Sequence, residues 1–568
     1  MAAFWAPEFG IDTRADGVIL MHHRGEAPRL AASIPARIKH FAETTPEATA
    51  IAERVGDGWR RVSYAALWQA MRRVGGGLLE RGLGQEQPVM ILSENSVDHA
   101  IVALAGHMVG VPTAAISTAF SLVSTTHDKL RDVAGQLQPG LVFAADPKRY
   151  AAAIAAVGVP SVASAAELEG DPAIADAAFA RLTPDMTAKY LFTSGSTGSP
   201  KAVINSVGML IRNQDMVADC FRFLAKAPPV LVDWAPWSHT ASGNKVFHMC
   251  LCAGGAFHID GGKPAPALIG ETLRNLREVA PTWYFNVPAG WEMLVQAFKS
   301  DADLARHFFS RMDLMMYAGA GMAQHLWEDI LGLARQYAGR DVLLTTGLGA
   351  TETGPFALMC TEQQESPGNI GVPAKGITLK LVPNEGKLEA RLKSPSITPG
   401  YLGAAAATAK AFDEEGFYCL GDALRPADPA DLSKGFFFDG RIAENFKLAT
   451  GTWVAVGALR AALVNAMGGL VRDAVILGED RDELGALLVP SDGAAEAEVA
   501  ERLAAFAAKS TGSASRIRRA VLLTKPLSLD QGEVTDKGSV NQRAVIRCRP
   551  ETVALCYAGG AGVKREVD

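Results

Sequence analysis

Apolar positions recur at helical spacing through SYAALWQAMRRVGGGLLERGL (residues 63–83), a run that ends at Gly82, and they predict an amphipathic helix there. PVMILSE (88–94) is instead a short continuous apolar run, the pattern of a buried strand. SVDHAIVALAGHMVG (96–110) predicts a helix opened by the N-cap Ser96, and VPTAAIS (111–117) predicts the next strand. The same rhythm returns over 139–162 and around 229–235, 255–259, 282–286 and 341–346, which indicates βαβ units and layers of helix on parallel sheet. PADPADLSKG (426–435) is a polar, Pro-bearing turn, and from about Arg441 the pattern changes. The strand runs AVILG (474–478) and AVLLT (520–524) there flank an Ala/Glu-rich helix, AAEAEVAERLAAFAAK (494–509). The predicted fold class is α/β: a large multi-layer N-terminal domain of α/β subdomains over 1–440, and a small α+β C-terminal domain over 441–568.

Composition narrows the class. At 568 residues the chain is too long for one core. Hydrophobic residues at 48% and charged residues at 20% are ordinary for a globular protein, and a net charge of -6 offers no footprint for nucleic acid. No run of 18 apolar residues predicts a membrane span, and MAAFWAPEFGIDTRAD lacks the basic and apolar regions of a signal peptide. Seven cysteines make no disulfide framework. Cys250 and Cys252, read as one face of a strand in FHMCLCAGGAFHI, are expected to be buried structural thiols; His248 and His258 lie near them at irregular spacing for a metal site. A reduced, cytoplasmic enzyme is expected.

The candidate chemistry begins at TSGSTGSPKAV (193–203), where hydroxyls, glycines and one lysine follow the apolar run Tyr190-Leu191-Phe192. Such a loop presents backbone N–H groups, hydroxyls and a mobile cation to phosphate oxygens. It is not a P-loop: Pro200 stands where the second glycine belongs, and Ala202 follows Lys201 in place of Ser or Thr. Ala202-Val203-Ile204 predicts a second strand, hence strand–turn–strand; a solvated Ser/Gly hairpin is the competing reading. LGATETG (348–354) sets Thr351 beside Glu352, a hydroxyl donor beside a carboxylate suited to Mg²⁺, or else a capping pair. GFYCLGD (416–422) places Asp422 after a strand and a glycine, where its carboxylate can accept from ribose hydroxyls, or else a turn aspartate, and FFFDGR ends at Arg441. SLDQGEVTDKGSVNQR (528–543) carries the single Lys537 in a polar loop.

Taken in order, TSGSTGSPKAV, YAGAGM, TGLGATETG, YCLGD, DGR and the late lysine loop resemble the motif set of the adenylate-forming superfamily, which contains acyl-coenzyme A synthetases, luciferases and peptide-synthetase adenylation domains. VDWAPWSHTASGNKVF, AFHIDGGKP, GNIGVPAKGITLKLVP, RIAENFKLATGTWV and EVTDKGSVNQRAV more closely resemble its feruloyl-coenzyme A synthetase branch. The resemblance implies an AMP-forming acid–thiol ligase that adenylates an aromatic, hydroxycinnamate-like acid and transfers the acyl group to coenzyme A in aromatic acid catabolism. It implies ATP, Mg²⁺ and coenzyme A, no nucleic acid or membrane partner, and leaves a homodimer open. Other acyl specificities, such as benzoate or fatty acid, and a stand-alone adenylation enzyme loading a carrier protein in trans are the alternatives.

Carried onto this chain, Thr193, Ser194, Ser196, Thr197 and Lys201 would touch the β- and γ-phosphates, with Gly195 and Gly198 giving backbone access; Ala202 stands where the family has glycine. Thr351 and Glu352 would serve the α-phosphate and Mg²⁺, Gly319, Ala320 and Gly321 the adenine with Thr346 and Gly347 beside it, and Asp422 and Arg441 the ribose. His239 of PWSH would stand between the acyl pocket and the thiol tunnel, with Tyr317, Ala320, Thr346, Gly347, Pro355 and Phe356 as pocket walls. Lys537 would stabilise the charge of adenylation, with Ser539 as the alternative register, and Gly451 would let backbone pass close to pantetheine. The C-terminal domain would be mobile, pivoting near Arg441–Ala443, where the family has Asp or Lys in place of Ala443.

Overall fold

A computed structural model describes residues 3–194, 199–491, 493–535 and 538–566, the Ser194 side chain apart. The helix predicted over 63–83 runs Tyr64–Glu80, its N-cap Ser63 accepting from Ala66 N at 3.2 Å. Its triple glycine has a packing reason. A Cβ at Gly76 or Gly77 would fall 2.1 Å from the Asp171 carbonyl oxygen or 1.7 Å from that of Leu168, so the glycines let the 168–171 backbone lie against the helix. The next helix is Val97–Val109, capped by Ser96, whose hydroxyl accepts from His99 N at 3.0 Å, and closed by Gly110 in the left-handed region.

Six sheets are formed among the described residues. In the first βαβ layer, Val89–Ile91 pairs in parallel with both Thr113–Ala115 and Leu141–Phe143, and Thr113–Ala115 pairs in parallel with Thr187–Ser194. A second layer pairs Val230–Asp233 in parallel with Ala256–Ile259. A third aligns Trp283–Asn286, Leu314–Tyr317 and Leu343–Thr345, all parallel. The alternating helices and strands dictated these units.

The largest sheet was not expected. It has nine strands, and every pairing in it is antiparallel. Its edge is built by the N-terminal hairpin Phe9–Thr13 and Ile19–His23, which adds to Thr378–Asn384. Its strands Thr378–Asn384, Lys387–Lys393, Tyr418–Pro426 and Phe436–Arg441 pair antiparallel in chain order, and the one α-helix between them is the short Ala405–Ala411, so the βαβ rhythm is silent there. Cys250 and Cys252 are also corrected: they lie in the helix Phe247–Cys252, not in a strand, because six helical residues continue the π-turn Ala241–Val246. Both thiols are buried, and no group of three or more metal-ligating side chains stands together among the described residues.

The residues after Arg441 pack around a core of their own, which includes Phe446, Val454, Leu463, Ile476, Leu488 and Ile517. A four-stranded mixed sheet there joins Val471–Leu477, Leu484–Pro490, Ile517–Leu522 and Gly562–Arg565. Its loop 528–533 reaches the first layer: the Asp530 carboxylate accepts from Ser124 Oγ at 2.6 Å and from Thr125 N at 3.2 Å, and Lys129 Nζ donates to the Leu529 carbonyl.

Candidate functional site

Parallel sheets expose unpaired strand ends at their carboxyl edges, and the loops leaving those edges can converge on a ligand. Here the predicted segments leave such edges. Thr187–Ser194 runs into the Ser/Thr/Gly loop, Leu314–Tyr317 into Gly319–Gly321, Leu343–Thr345 into the 346–356 segment, and Val230–Asp233 into the turn bearing His239. The strand–turn–strand reading of the loop agrees with the structure: Thr187–Ser194 pairs antiparallel with Pro200–Ser206, Lys201 opposite Thr193. Gly195, Ser196, Thr197 and Gly198, the loop tip, lie outside the described residues, as does the side chain of Ser194.

The strand Pro200–Ser206 is stitched to the segment around Tyr401. Ile204 N donates to Gly400 O at 3.1 Å, Leu402 N donates to Ala202 O at 2.9 Å, and Val203 bridges Tyr401. This sets the Tyr401 ring beneath the Lys201 ammonium, 5.1 Å from nitrogen to ring centroid. The Tyr401 hydroxyl donates to Glu352 Oε1 at 2.9 Å, and the Glu352 carbonyl accepts from Thr398 N at 2.8 Å. Burial, reinforced by the Glu352 charge, pushes the Tyr401 and Tyr418 phenols far above their ordinary range, so both stay neutral donors. The predicted phosphate lysine, the predicted Mg²⁺ carboxylate and the strand bearing Asp422 are therefore joined through two tyrosines.

Local sequence explains the Glu352 loop. Thr351–Thr353 form one 3-10 turn, held by Thr353 Oγ1, which meets Ala350 N at 2.9 Å and the Pro355 carbonyl at 2.8 Å. A Cβ at Gly349 would fall 1.6 Å from that same Pro355 oxygen, so only glycine lets the loop fold back. Thr351 and Glu352 are both buried.

Asp422 lies within the strand Tyr418–Pro426 rather than after it, opposite Arg441 in the register. Its Oδ1 is 3.5 Å from Arg441 Nε, an ion pair with an exposed guanidinium, and receives no hydrogen bond among the described residues. Burial lifts its pKa to about 6 against the pull of Arg441. A buried carboxylate oxygen without a donor fits a ligand that brings hydroxyls.

Among the acyl-pocket candidates, His239 is half-buried; its Nδ1 accepts from Ala241 N at 3.2 Å, which places the proton of the neutral ring on Nε2. Pro355 and Phe356 follow the Glu352 loop, and Asn213 fixes them, its Nδ2 donating to the carbonyls of Thr353 and Phe356 at 3.1 and 3.0 Å. Phe356 packs edge-on against Phe221 in the core. Tyr317 is buried against Trp327, and its hydroxyl accepts from Gly368 N at 2.8 Å. Thr346 is buried, its carbonyl accepting from Cys360 N at 3.3 Å. The smallness of Gly347 has a second cause: a Cβ there would stand 2.4 Å from the Leu358 carbonyl oxygen of the paired strand. Gly319, Ala320 and Gly321 form an exposed loop, Gly319 at φ +90°.

Gly451 sits at φ +79° in the exposed turn between Phe446–Lys447 and Trp453–Val454, away from the Glu352 cluster in sequence and sheet. Ala443 lies in the turn Ile442–Glu444, where its carbonyl accepts from the Arg543 guanidinium. Lys537 lies outside the described residues, and Ser539 N donates to Thr535 Oγ1 at 3.2 Å. Sequence reasoning passed over Tyr401 and Tyr418. PGYLG (399–403) brackets an aromatic ring with two glycines, a signal that was present but mute about its partner, which is 49 residues away in the chain.

Residues 38–402 match the AMP-binding enzyme family, and residues 447–559 match the AMP-binding enzyme C-terminal domain. A carboxylic acid reductase of Mycobacterium marinum is 25% identical over 84% of this chain, which spans 42% of the reductase's length. A 3-hydroxybenzoate–CoA ligase of Aromatoleum sp. (strain CIB) is 23% identical over 77% of this chain and 83% of its own. The ATP-bound structure of MatB from Rhodopseudomonas palustris superposes with a TM-score of 0.70 at 22% identity, covering 91% of this chain and 99% of its own, a likeness of fold.

Proposed function

Because the chain belongs to the AMP-binding enzyme family, we propose that it is an AMP-forming acid–thiol ligase that activates an aromatic, hydroxycinnamate-like carboxylic acid with ATP and transfers the acyl group to coenzyme A. The observation that carries the reading is the joined set Lys201, Tyr401 and Glu352, beside a buried Asp422 oxygen that lacks a hydrogen-bond donor among the described residues. Both reactants are anions, so the site must offset their repulsion and hold charge that builds at phosphorus. Lys201 supplies a cation that an aromatic face steadies without neutralising. Glu352, with the Thr351 hydroxyl beside it, is the donor set suited to Mg²⁺, which would neutralise phosphate charge when bound. Asp422 and Arg441 would hold the ribose, and Gly319–Gly321 would lie along the adenine.

In the first half-reaction a carboxylate oxygen attacks the α-phosphorus and pyrophosphate leaves. In the second, the thiol sulfur attacks the acyl carbon, AMP leaves, and the thiol proton passes to solvent. No protein nucleophile is required. The aromatic acid is supported by the Phe356 and Tyr317 rings near the Glu352 loop and by similarity to a ligase named for 3-hydroxybenzoate. Similarity to carboxylic acid reductases favours a second reading, in which the acyl group is handed to a carrier protein. A pyrophosphate-release screen across carboxylic acids, with and without coenzyme A, separates them: thioester appears with coenzyme A under the first and not under the second.

A further inference from the structure

Lys245 is a charge in the wrong place for a core. It lies on the π-turn Ala241–Val246, six residues after His239, and is 4% exposed. Its ammonium stands over the rings of Phe356 and Phe221, at 5.0 and 5.6 Å from their centroids, and 3.1 Å from the Met316 thioether sulfur. Among the described residues no carboxylate lies within ion-pair distance of it. Buried ammonium groups are paired or hydrogen-bonded in folded proteins, because desolvation penalises them heavily. Its surroundings pull its pKa down to about 7, chiefly through that burial.

The place is as telling as the isolation. Met316 precedes Tyr317, the strand end that opens the Gly319–Gly321 loop. Phe356 closes the segment that carries Glu352 and Pro355. His239 opens the turn on which Lys245 lies. Three segments that each supply candidate acyl-slot residues therefore meet at this one nitrogen. A sulfur atom and two ring faces are weak acceptors, so a stronger oxygen acceptor would find an unclaimed donor there.

We propose that Lys245 determines acyl specificity by binding an oxygen substituent, a phenolic hydroxyl or a second carboxylate, carried by the acid at the end remote from its reacting carboxylate. This rests on the aromatic-acid reading above and names the substituent that the slot selects. An acid lacking the oxygen would leave the ammonium unpaired, and the loss of a buried polar partner is the kind of mismatch that sites discriminate most strongly.

The test measures kcat/KM for pyrophosphate release with wild type and Lys245→Met on five acids: benzoate, 3- and 4-hydroxybenzoate, 4-hydroxycinnamate and benzene-1,4-dicarboxylate. Wild type is expected to prefer at least one oxygenated acid over benzoate by on the order of tenfold or more, and that ratio is expected to collapse in Lys245→Met, mainly through KM. Whether the hydroxy or the dicarboxylic acids carry the preference identifies the source of the oxygen. An unchanged ratio in the variant overturns the proposal, as does a wild type indifferent to the oxygen. Thermal melting checks the fold, and Lys245→Gln replaces the methionine variant should that one not fold. Failure of the aromatic reading itself shows differently: no aryl acid releases pyrophosphate, while alkanoates or alkanedioates do, and the alkanedioate-to-alkanoate ratio then reads Lys245 in the same assay.

Discussion

Glu352 shows what a single side chain contributes when its neighbours are fixed. Its carboxylate is held by the Tyr401 hydroxyl, and Tyr401 in turn supports Lys201. Glu352→Gln is expected to abolish pyrophosphate release with every acid, because an amide cannot replace a hard anionic ligand; near wild-type release would remove Glu352 from the metal role. Tyr401→Phe keeps the ring under Lys201 and deletes only the hydroxyl. It is expected to lower kcat by about tenfold or more, in line with roughly 1.5–3 kcal/mol for one hydrogen bond to a charged group, with little change in melting temperature. Asp422 makes a pH prediction. Its folded pKa, about 6, lies above the ordinary value of 3.8, so the native state binds the proton more tightly and this group costs stability as pH rises through that window. Asp422→Asn is therefore expected to melt no lower than wild type at pH 7, while its KM for ATP rises severalfold; wild-type KM for ATP is expected to climb as pH falls below about 6, where the carboxylate protonates. A flat ATP profile from pH 5 to 8 would detach Asp422 from the ribose. The types of residue needed for this chemistry were legible in the sequence, since the hydroxyls, Lys201, Lys537, Glu352 and Asp422 stand in ordered motifs. The tyrosines that connect them were not, because a hydrogen bond between positions 352 and 401 leaves no trace in local spacing.

Among elements, the loop from Thr346 to Phe356 does the most positioning, and its glycines do it by absence. A methyl at Gly349 has nowhere to go but the Pro355 carbonyl. Gly349→Ala is expected to move the Thr351–Thr353 turn, lowering adenylation by a factor of ten or more on the scale of misplaced catalytic groups while the melting temperature falls by only a few degrees. Activity equal to wild type would mean that the turn tolerates the shift and does not set the Glu352 geometry. Ala320→Leu makes a contrast on the exposed loop 319–321, where no such crowding exists; it is expected to penalise bulky aryl acids more than small aliphatic ones, and a uniform loss would remove Ala320 from the slot. At this scale the sequence was most readable where helices alternate with apolar strands. The capped helices at Ser63 and Ser96 and the parallel strands after them follow directly from period and punctuation. It was least readable in the nine-stranded antiparallel sheet, whose first hairpin pairs residue 22 with residue 378: register across such a distance is set by tertiary packing, not by neighbours in the chain. The helical setting of Cys250 and Cys252 was missed for a related reason. A short apolar run fits strand and helix alike, and the preceding π-turn decides between them.

On the scale of the whole chain, one site must first exclude water to form the adenylate and then admit a long thiol arm to the same carbon. The resemblance to adenylate-forming enzymes implies that the C-terminal unit turns between the two steps, and the structure supplies parts on which that idea can be tried. The loop 528–533, which leads toward Lys537, is fastened to the first layer by Asp530, whose carboxylate takes bonds from Ser124 and Thr125; those bonds hold its pKa below the ordinary aspartate value. At the other end of the unit, the Ala443 carbonyl receives the Arg543 guanidinium. If the docked loop belongs to the adenylating arrangement, three variants should split the half-reactions. Lys537→Ala should cripple pyrophosphate release while thioester formation from supplied acyl-adenylate survives. Asp530→Ala should act in the same direction but mildly, by no more than roughly fivefold, because contacts of a partly exposed carboxylate, on the order of 1 kcal/mol or less, are lost and no reacting group is. Ala443→Pro should do the reverse, since a fixed φ stiffens the pivot yet leaves intact the carbonyl that Arg543 holds. Pyrophosphate and acyl-coenzyme A, followed separately in one assay, read all three. Loss of adenylation in Ser539→Ala with Lys537→Ala unaffected would move the role to the other register. Equal damage to both steps by Asp530→Ala and Ala443→Pro would mean that the unit keeps one orientation throughout the reaction.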